Sequence, residues 1–192
     1  MKKIILGSAS PRRKELLEQM GMEFEIVISH KAEEYTSVKP EDIAAELALR
    51  KAENVASEIE AKNTIVIGAD TIVVQDGKVL GKPKDRANAF EMLHSLQGKA
   101  HQVYTGIAVL DYDESGQVNV HNDVVKTEVY VHAMSEEEIK NYIATGECDD
   151  KAGGYGIQGK FAVFIEKIEG EYYNVVGLPI SHLYQILKTK IC

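Results

Sequence analysis

The 192-residue sequence is poor in cysteine, in long apolar runs and in net positive charge, and each shortage excludes a class of protein. Its only cysteines, Cys148 and Cys192, lie far apart and outside any metal-ligand spacing. A disulfide framework and a cysteine-built metal centre are therefore excluded, and the chain fits a reducing cytoplasm. No segment is apolar for long enough to span a bilayer, and Met1 to Ser8 offers only Ile4, Ile5 and Leu6 where a signal peptide needs a longer run. The expectation is a cytoplasmic protein with no membrane partner. Asp and Glu number 30 against 22 Lys and Arg, which leaves a formal charge of -8 at pH 7. A phosphate polymer is gripped by a broad excess of Lys and Arg, so no nucleic-acid polymer is expected as a partner. A small anion remains compatible, because for such a ligand local charge matters more than the total.

What is present is an ordinary globular composition, with 44% hydrophobic and 27% charged residues. The length suits one large domain or two small lobes sharing a sheet. There is no internal repeat and no low-complexity linker, so a single α/β unit over residues 1–192 is expected. Lys2 to Gly7 reads as a buried strand and Pro11 to Met20 as a helix, with Ser10 as N-cap and Gly21 as stop. A strand is expected at Phe24 to Ser29 and a helix from Pro40 to Ser57, with the stripe Ile43, Leu47, Lys51, Val55. Thr64 to Val74 is β-branched and apolar apart from an interruption at Gly68-Ala69-Asp70, and Asp76-Gly77 signals a hairpin into Lys78 to Leu80. A helix from Asp85 to Leu96 is followed by long strands at His101 to Asp111 and Val118 to Val131. Ser135 and Glu138 form a capping box for the next helix, and the glycine-rich Lys151 to Gly159 follows it. The pattern then predicts strands at Phe161 to Ile168 and Tyr172 to Val176 and a last helix after Pro179.

Chemistry concentrates first in Ser8-Ala9-Ser10-Pro11-Arg12-Arg13-Lys14, which places three cations in the first turn of a helix. The macrodipole already makes that turn positive, so the arrangement is unfavourable in isolation. It becomes favourable when an anion accepts the free backbone N–H groups, the hydroxyls of Ser8 and Ser10 and the guanidinium forks, and a polyphosphate fits best. Solvated surface charge is the plainer alternative. Asp70 has apolar neighbours on both sides, and a buried carboxylate needs a partner. At a strand end it can hold a metal or take a proton from water; alternatively it caps a turn. Glu33 and Glu34, in a polar stretch, can join it around Mg²⁺, or can simply be solvated. Lys51 falls on the apolar stripe of its helix, so it snorkels to an edge or points into a polar cleft. Lys82, held extended before Pro83, can reach phosphate oxygens.

Two pattern matches fail on context. Gly77 to Pro83 is a residue short of a P-loop and lacks its Ser or Thr, and Gly154-Tyr155-Gly156-Ile157-Gln158-Gly159 precedes a strand rather than opening a helix. The latter does provide a slim backbone and one amide, Gln158, able to donate and accept toward a nucleobase edge. His94, His101 and His182 have no partner at ligand spacing and default to packing or surface roles.

Together, Ser8-Ala9-Ser10-Pro11-Arg12-Arg13, Gly68-Ala69-Asp70-Thr71, Gly81-Lys82-Pro83, Asp150 to Gly159 and Gly177-Leu178-Pro179 closely resemble the Maf family, first linked to septum formation. The resemblance implies an α/β fold with a mixed, elongated central sheet flanked by helices, in two lobes with a cleft, similar to inosine triphosphate pyrophosphatases. It implies a hydrolase that splits a nucleoside triphosphate into monophosphate and pyrophosphate, with water attacking the α-phosphorus. By that likeness Asp70 is the proton acceptor, and Arg13, Lys51 and Lys82 hold phosphates. An acid of the Glu33-Glu34 pair joins Asp70 in binding Mg²⁺ or Mn²⁺. The loop before the pair is one residue longer than in the relatives compared, which favours Glu34. Arg12, Thr71 and Gln158 match the branch acting on dTTP and UTP, with modified pyrimidine nucleotides left open. A homodimer is also implied. The competing expectation is a nucleotide-binding regulator of septum formation that needs no turnover.

Overall fold

The computed structural model describes residues 2–31 and 34–190. Among these residues seven strands form one mixed sheet in the order β2-β1-β3-β5-β6-β7, with β4 paired to β3. The strands are β1 (Lys3–Leu6), β2 (Glu25–Ile26), β3 (Thr64–Gln75), β4 (Lys78–Leu80), β5 (Ala100–Tyr112), β6 (Val118–Val131) and β7 (Ile165–Glu169). The helices are α1 (Pro11–Gln19), α2 (Pro40–Ala56), α3 (Arg86–Leu96), α4 (Glu136–Ala144), α5 (Tyr172–Val176) and α6 (Ile180–Leu187). This is the expected mixed α/β class. The chain divides into two compact units, the first from the described residues of Met1–Asp70, Thr105–Val125 and Gly177–Cys192, the second from Thr71–Tyr104 and Lys126–Val176. None of the helices among the described residues is long and apolar enough to cross a membrane.

In the first unit β1 pairs in parallel with β2 on one side and β3 on the other. At the sheet edge β2 is reduced to Glu25–Ile26, much shorter than its apolar pattern suggested, because only Ile5 and Leu6 offer it ladder partners. Helix α1 starts at Ser10-Pro11 as expected and buries Leu16 and Leu17, each contributing about 2 kcal/mol. Helix α2 carries a second buried row besides the expected apolar stripe: Ala44, Ala48 and Ala52 are fully buried. Their small size answers two glycines of the sheet. A Cβ on Gly68 would lie 2.4 Å from the Ala48 carbonyl oxygen, and one on Gly106 2.0 Å from that of Ala44. The helix backbone therefore rests directly on β3 and β5.

Strand β3 runs without a break through Gly68-Ala69-Asp70, so the expected interruption is absent. The glycine marks close approach of a helix there rather than a turn. The Asp76-Gly77 hairpin into β4 forms as predicted, both residues taking the left-handed φ values of 49° and 74° that suit a tight antiparallel turn.

The second unit buries Val73, Leu93, Leu96, Val103, Val129, Ile139 and Phe161 among others. Asp85 caps α3 by accepting from the Asn88 amide, and Ser135 with Glu138 forms the predicted capping box on α4. The C-terminal part departs from its pattern. Lys160–Phe164 is a 3-10 helix rather than the first half of a strand, because Phe161 turns inward to pack at 4.7 Å from the Tyr155 ring and 5.5 Å from Phe164. Tyr172–Val176 is α5, not a strand. Its buried Asn174 donates to the Val103 carbonyl at 3.0 Å and to Thr127 Oγ1 at 2.9 Å, contacts that override the β-propensity of its neighbours.

Candidate active site

The first unit holds Ser8, Ser10, Arg12, Arg13, Glu34, Lys51 and Asp70. At the α1 N-terminus no acidic side chain stands in the first turn, and the Ser10 hydroxyl does not cap it. Arg13 is buried, and its Nε donates to the Gly177 carbonyl at 2.8 Å while Nη1 donates to Ser8 Oγ at 3.2 Å. Ser8 Oγ also accepts the Ser10 amide at 3.2 Å. The Ser8–Arg13 turn and the Gly177-Leu178-Pro179 segment, distant in sequence, are thus joined through one guanidinium. Arg12 is half-buried and has no ion-pair partner among the described residues, whereas Lys14 lies on the surface 3.5 Å from Glu18. The cations expected to act together are therefore placed differently: Arg13 braces the turn, Arg12 stays available and Lys14 faces solvent.

Lys51 and Asp70 form an ion pair, Nζ to Oδ1, with side-chain exposures of 17% and 16%. Lys51 does not snorkel away from its apolar stripe. Its position follows from the glycine seat, since Gly68 admits the α2 backbone at Ala48 and Ala52, and Lys51 and Asp70 are one and two residues from those contacts. Asp70 lies inside β3, with Ala69 buried before it and Ile72 buried after it, so a turn-capping role is excluded.

Glu34 is exposed, and Glu33 lies outside the described residues. The stretch after Glu34 is fastened to α2 by Glu46, whose carboxylate accepts the Ser37 hydroxyl at 2.7 Å, the Ser37 amide at 3.0 Å and the Thr36 amide at 3.1 Å. The Ser37 hydroxyl and amide and then the Thr36 amide hold this carboxyl down at about 2. Among the described residues no three His, Cys, Asp or Glu side chains converge as a ready metal cage. The available donors, Asp70 and Glu34, are hard carboxylate oxygens. That sparse oxygen set suits Mg²⁺ or Mn²⁺, which keep waters and take substrate phosphate oxygens rather than filling an all-protein cage.

The second unit holds Thr71, Lys82 and Gln158. Thr71 follows Asp70 directly in β3 and is half-buried. Lys82 is exposed in the non-helical Gly81-Lys82-Pro83 segment, and the Gly81 carbonyl accepts the Gly153 amide at 3.0 Å. A Cβ on Gly153 would lie 2.9 Å from Val73 Cγ1, and one on Gly154 3.4 Å from Pro83 Cγ. The lysine loop and the glycine-rich segment are thus packed together, as separate sequence motifs could not reveal. Gln158 is exposed, and its amide makes no hydrogen bond among the described residues. Behind the segment, His101 is fully buried with Nε2 2.7 Å from the Tyr155 hydroxyl, a packing role as expected. Burial lowers its pKa to about 4. Gly106, Glu46 and Glu147 escaped the sequence reading. Only the S/T-rich loop ahead of Glu46 hinted at a local acceptor, and no periodic signal marks the other two.

The Maf-like protein family model matches residues 3–190. The chain is 52% identical over 187 residues to the dTTP/UTP pyrophosphatase of Thermoanaerobacter sp. (strain X514), covering 97% of this chain and 95% of that one. It is 52% identical over 191 residues to the dTTP/UTP pyrophosphatase of Bacillus cytotoxicus, covering 98% and 95%. In fold it resembles the Staphylococcus aureus Ham1 protein, with a TM-score of 0.52 at 17% identity over 98% of this chain and 100% of that one. With nearly its full length matched and half its residues shared with such relatives, the chain belongs to the Maf family.

Proposed function

We propose that this chain is a nucleoside triphosphate pyrophosphatase that hydrolyses dTTP and UTP to the monophosphate and pyrophosphate. The observation that carries the reading is the half-buried Lys51–Asp70 pair, a carboxylate and an ammonium delivered by different elements to one point of the sheet. The two relatives above, each about half identical over nearly the whole chain, support the substrate class.

In this reading Asp70 accepts the proton of a water that attacks the α-phosphorus. The new oxygen–phosphorus bond forms as the bond to the bridging oxygen of the β-phosphate breaks, and pyrophosphate leaves. Lys51 orients the Asp70 carboxylate and shifts to a phosphate oxygen when substrate binds. Arg12 and Lys82 neutralise the outgoing pyrophosphate, and the first turn of α1 presents its positive end to the same charge. Arg13 acts with Ser8 and Ser10 by holding that turn in shape, and Thr71 and Gln158 contact the nucleoside. Asp70 and an acid of the Glu33-Glu34 pair, Glu34 first, would hold Mg²⁺ or Mn²⁺, which supplies charge neutralisation and polarises phosphate oxygens.

The test is incubation of the purified chain with Mg²⁺ and a panel of nucleoside triphosphates, with pyrophosphate and orthophosphate measured separately beside Asp70→Asn. Pyrophosphate with UMP or dTMP is expected, lost in the variant by about a hundredfold to ten-thousandfold, the range of a removed general base. Tight triphosphate binding without turnover on any member of the panel would move the assignment to a nucleotide-binding regulator.

A further inference from the structure

Gln158 is exposed, unanchored by its own amide among the described residues, and carried by a segment with four glycines, of which Gly153 and Gly154 hold left-handed φ values of 70° and 76°. Such a segment loses much conformational freedom when ordered, so something must hold it. The holding group is Glu147, just beyond the end of α4. One oxygen of its carboxylate accepts the Lys160 amide at 3.0 Å, and the other accepts the buried Tyr142 hydroxyl at 3.3 Å. Its main-chain carbonyl accepts Lys151 Nζ at 2.7 Å, and the stem of Lys151 covers Gly156, where a Cβ would lie 2.9 Å from Lys151 Cε. One residue thus ties down both flanks of Gln158.

Gly159 completes the arrangement. Its φ of -98° is open to any residue, so its being glycine answers a need for space. A Cβ there would stand 2.0 Å from Glu147 Oε1. The carboxylate occupies the place of the missing side chain.

We propose that Glu147 is a positioning residue for base recognition: its carboxylate fastens the Lys160 amide, beside the main-chain seat of Lys151, and so fixes the backbone from which Gln158 meets the base. The inference rests on Gln158 contacting the nucleobase. A pre-set arm lowers KM for the matching base and leaves the chemical step alone, because the group at the phosphorus does not depend on it.

The experiment compares steady-state kinetics on UTP and GTP for Glu147→Ala, Glu147→Gln, Gly159→Ala and Gln158→Ala, with thermal melting of each. Gln158→Ala is expected to shrink the preference for UTP. Glu147→Ala raises KM for UTP about tenfold with kcat within about twofold, the size of the lost charge-assisted bond to the Lys160 amide, the one of its two carboxylate bonds that holds the arm. Glu147→Gln, whose one amide oxygen still accepts the Lys160 amide, recovers part of the KM loss. Gly159→Ala displaces the carboxylate, so it reproduces the rise and adds nothing to it in the double variant. An unchanged KM in Glu147→Ala and Gly159→Ala alongside a lost preference in Gln158→Ala overturns the positioning role alone. Equal loss of kcat on both substrates with a lowered melting point reduces Glu147 to a stabilising residue, and an unaltered preference in Gln158→Ala removes the base reading and the inference with it.

Discussion

Lys51 and Asp70 illustrate how much depends on single side chains held partly out of water. Each is less than one-fifth exposed, and each satisfies the other. Removing one partner leaves the second charge poorly solvated, a larger cost than the net contribution of the pair. Lys51→Met is therefore predicted to destabilise the protein by about 2 kcal/mol, below the full penalty of a completely buried pair. Adding Asp70→Asn in the same chain should return part of that loss, read as the urea midpoint at constant slope. A surface pair such as Lys14–Glu18, about half exposed on both sides, should show nothing measurable when broken.

At the scale of elements, the seat of α2 on β3 and β5 decides where Lys51 can reach. Gly106→Ala would push a methyl into the Ala44 carbonyl, and neither backbone can yield cheaply. The predicted cost is about 3 kcal/mol, the upper range for overpacking, with kcat falling as α2 lifts and draws Lys51 from Asp70. Denaturant unfolding and kinetics on one preparation check both. Elements announced by local chemistry were legible in the sequence: Ser10-Pro11, Asp85 and the Ser135-Glu138 box all start helices where expected, and Asp76-Gly77 turns its hairpin. Residues 160–164 and 172–176 were not, since aromatic and β-branched side chains look strand-forming until Phe161 and Asn174 find their tertiary partners. The candidate site divides the same way. Asp70 and the cationic turn stand out because their environment is wrong for their charge, whereas Gly106, Glu46 and Glu147 matter only through residues remote from them or through loops without periodicity.

Across the whole molecule, the first loss on acidification, below pH 6.5, should come from the second unit. His101 sits fully buried, and its pKa of about 4 in the folded state lies below the ordinary 6.5 because burial disfavours the imidazolium. Between those values the unfolded chain binds a proton that the folded chain does not. The contribution of the neutral ring is complete above pH 6.5 and is lost as pH falls toward 4, a change of about 3 kcal/mol. His101→Gln is expected to flatten stability over that window, measured by urea unfolding at stepped pH. The proposed reaction opens a triphosphate at its α-phosphorus, with Asp70 taking the proton of the attacking water. The most direct measurement is hydrolysis of UTP by the intact chain in water labelled with heavy oxygen, followed by mass spectrometry of both products. Label is expected in UMP and not in pyrophosphate, with little labelled product from Asp70→Asn; label in the pyrophosphate, or undiminished labelling in the variant, overturns this reaction.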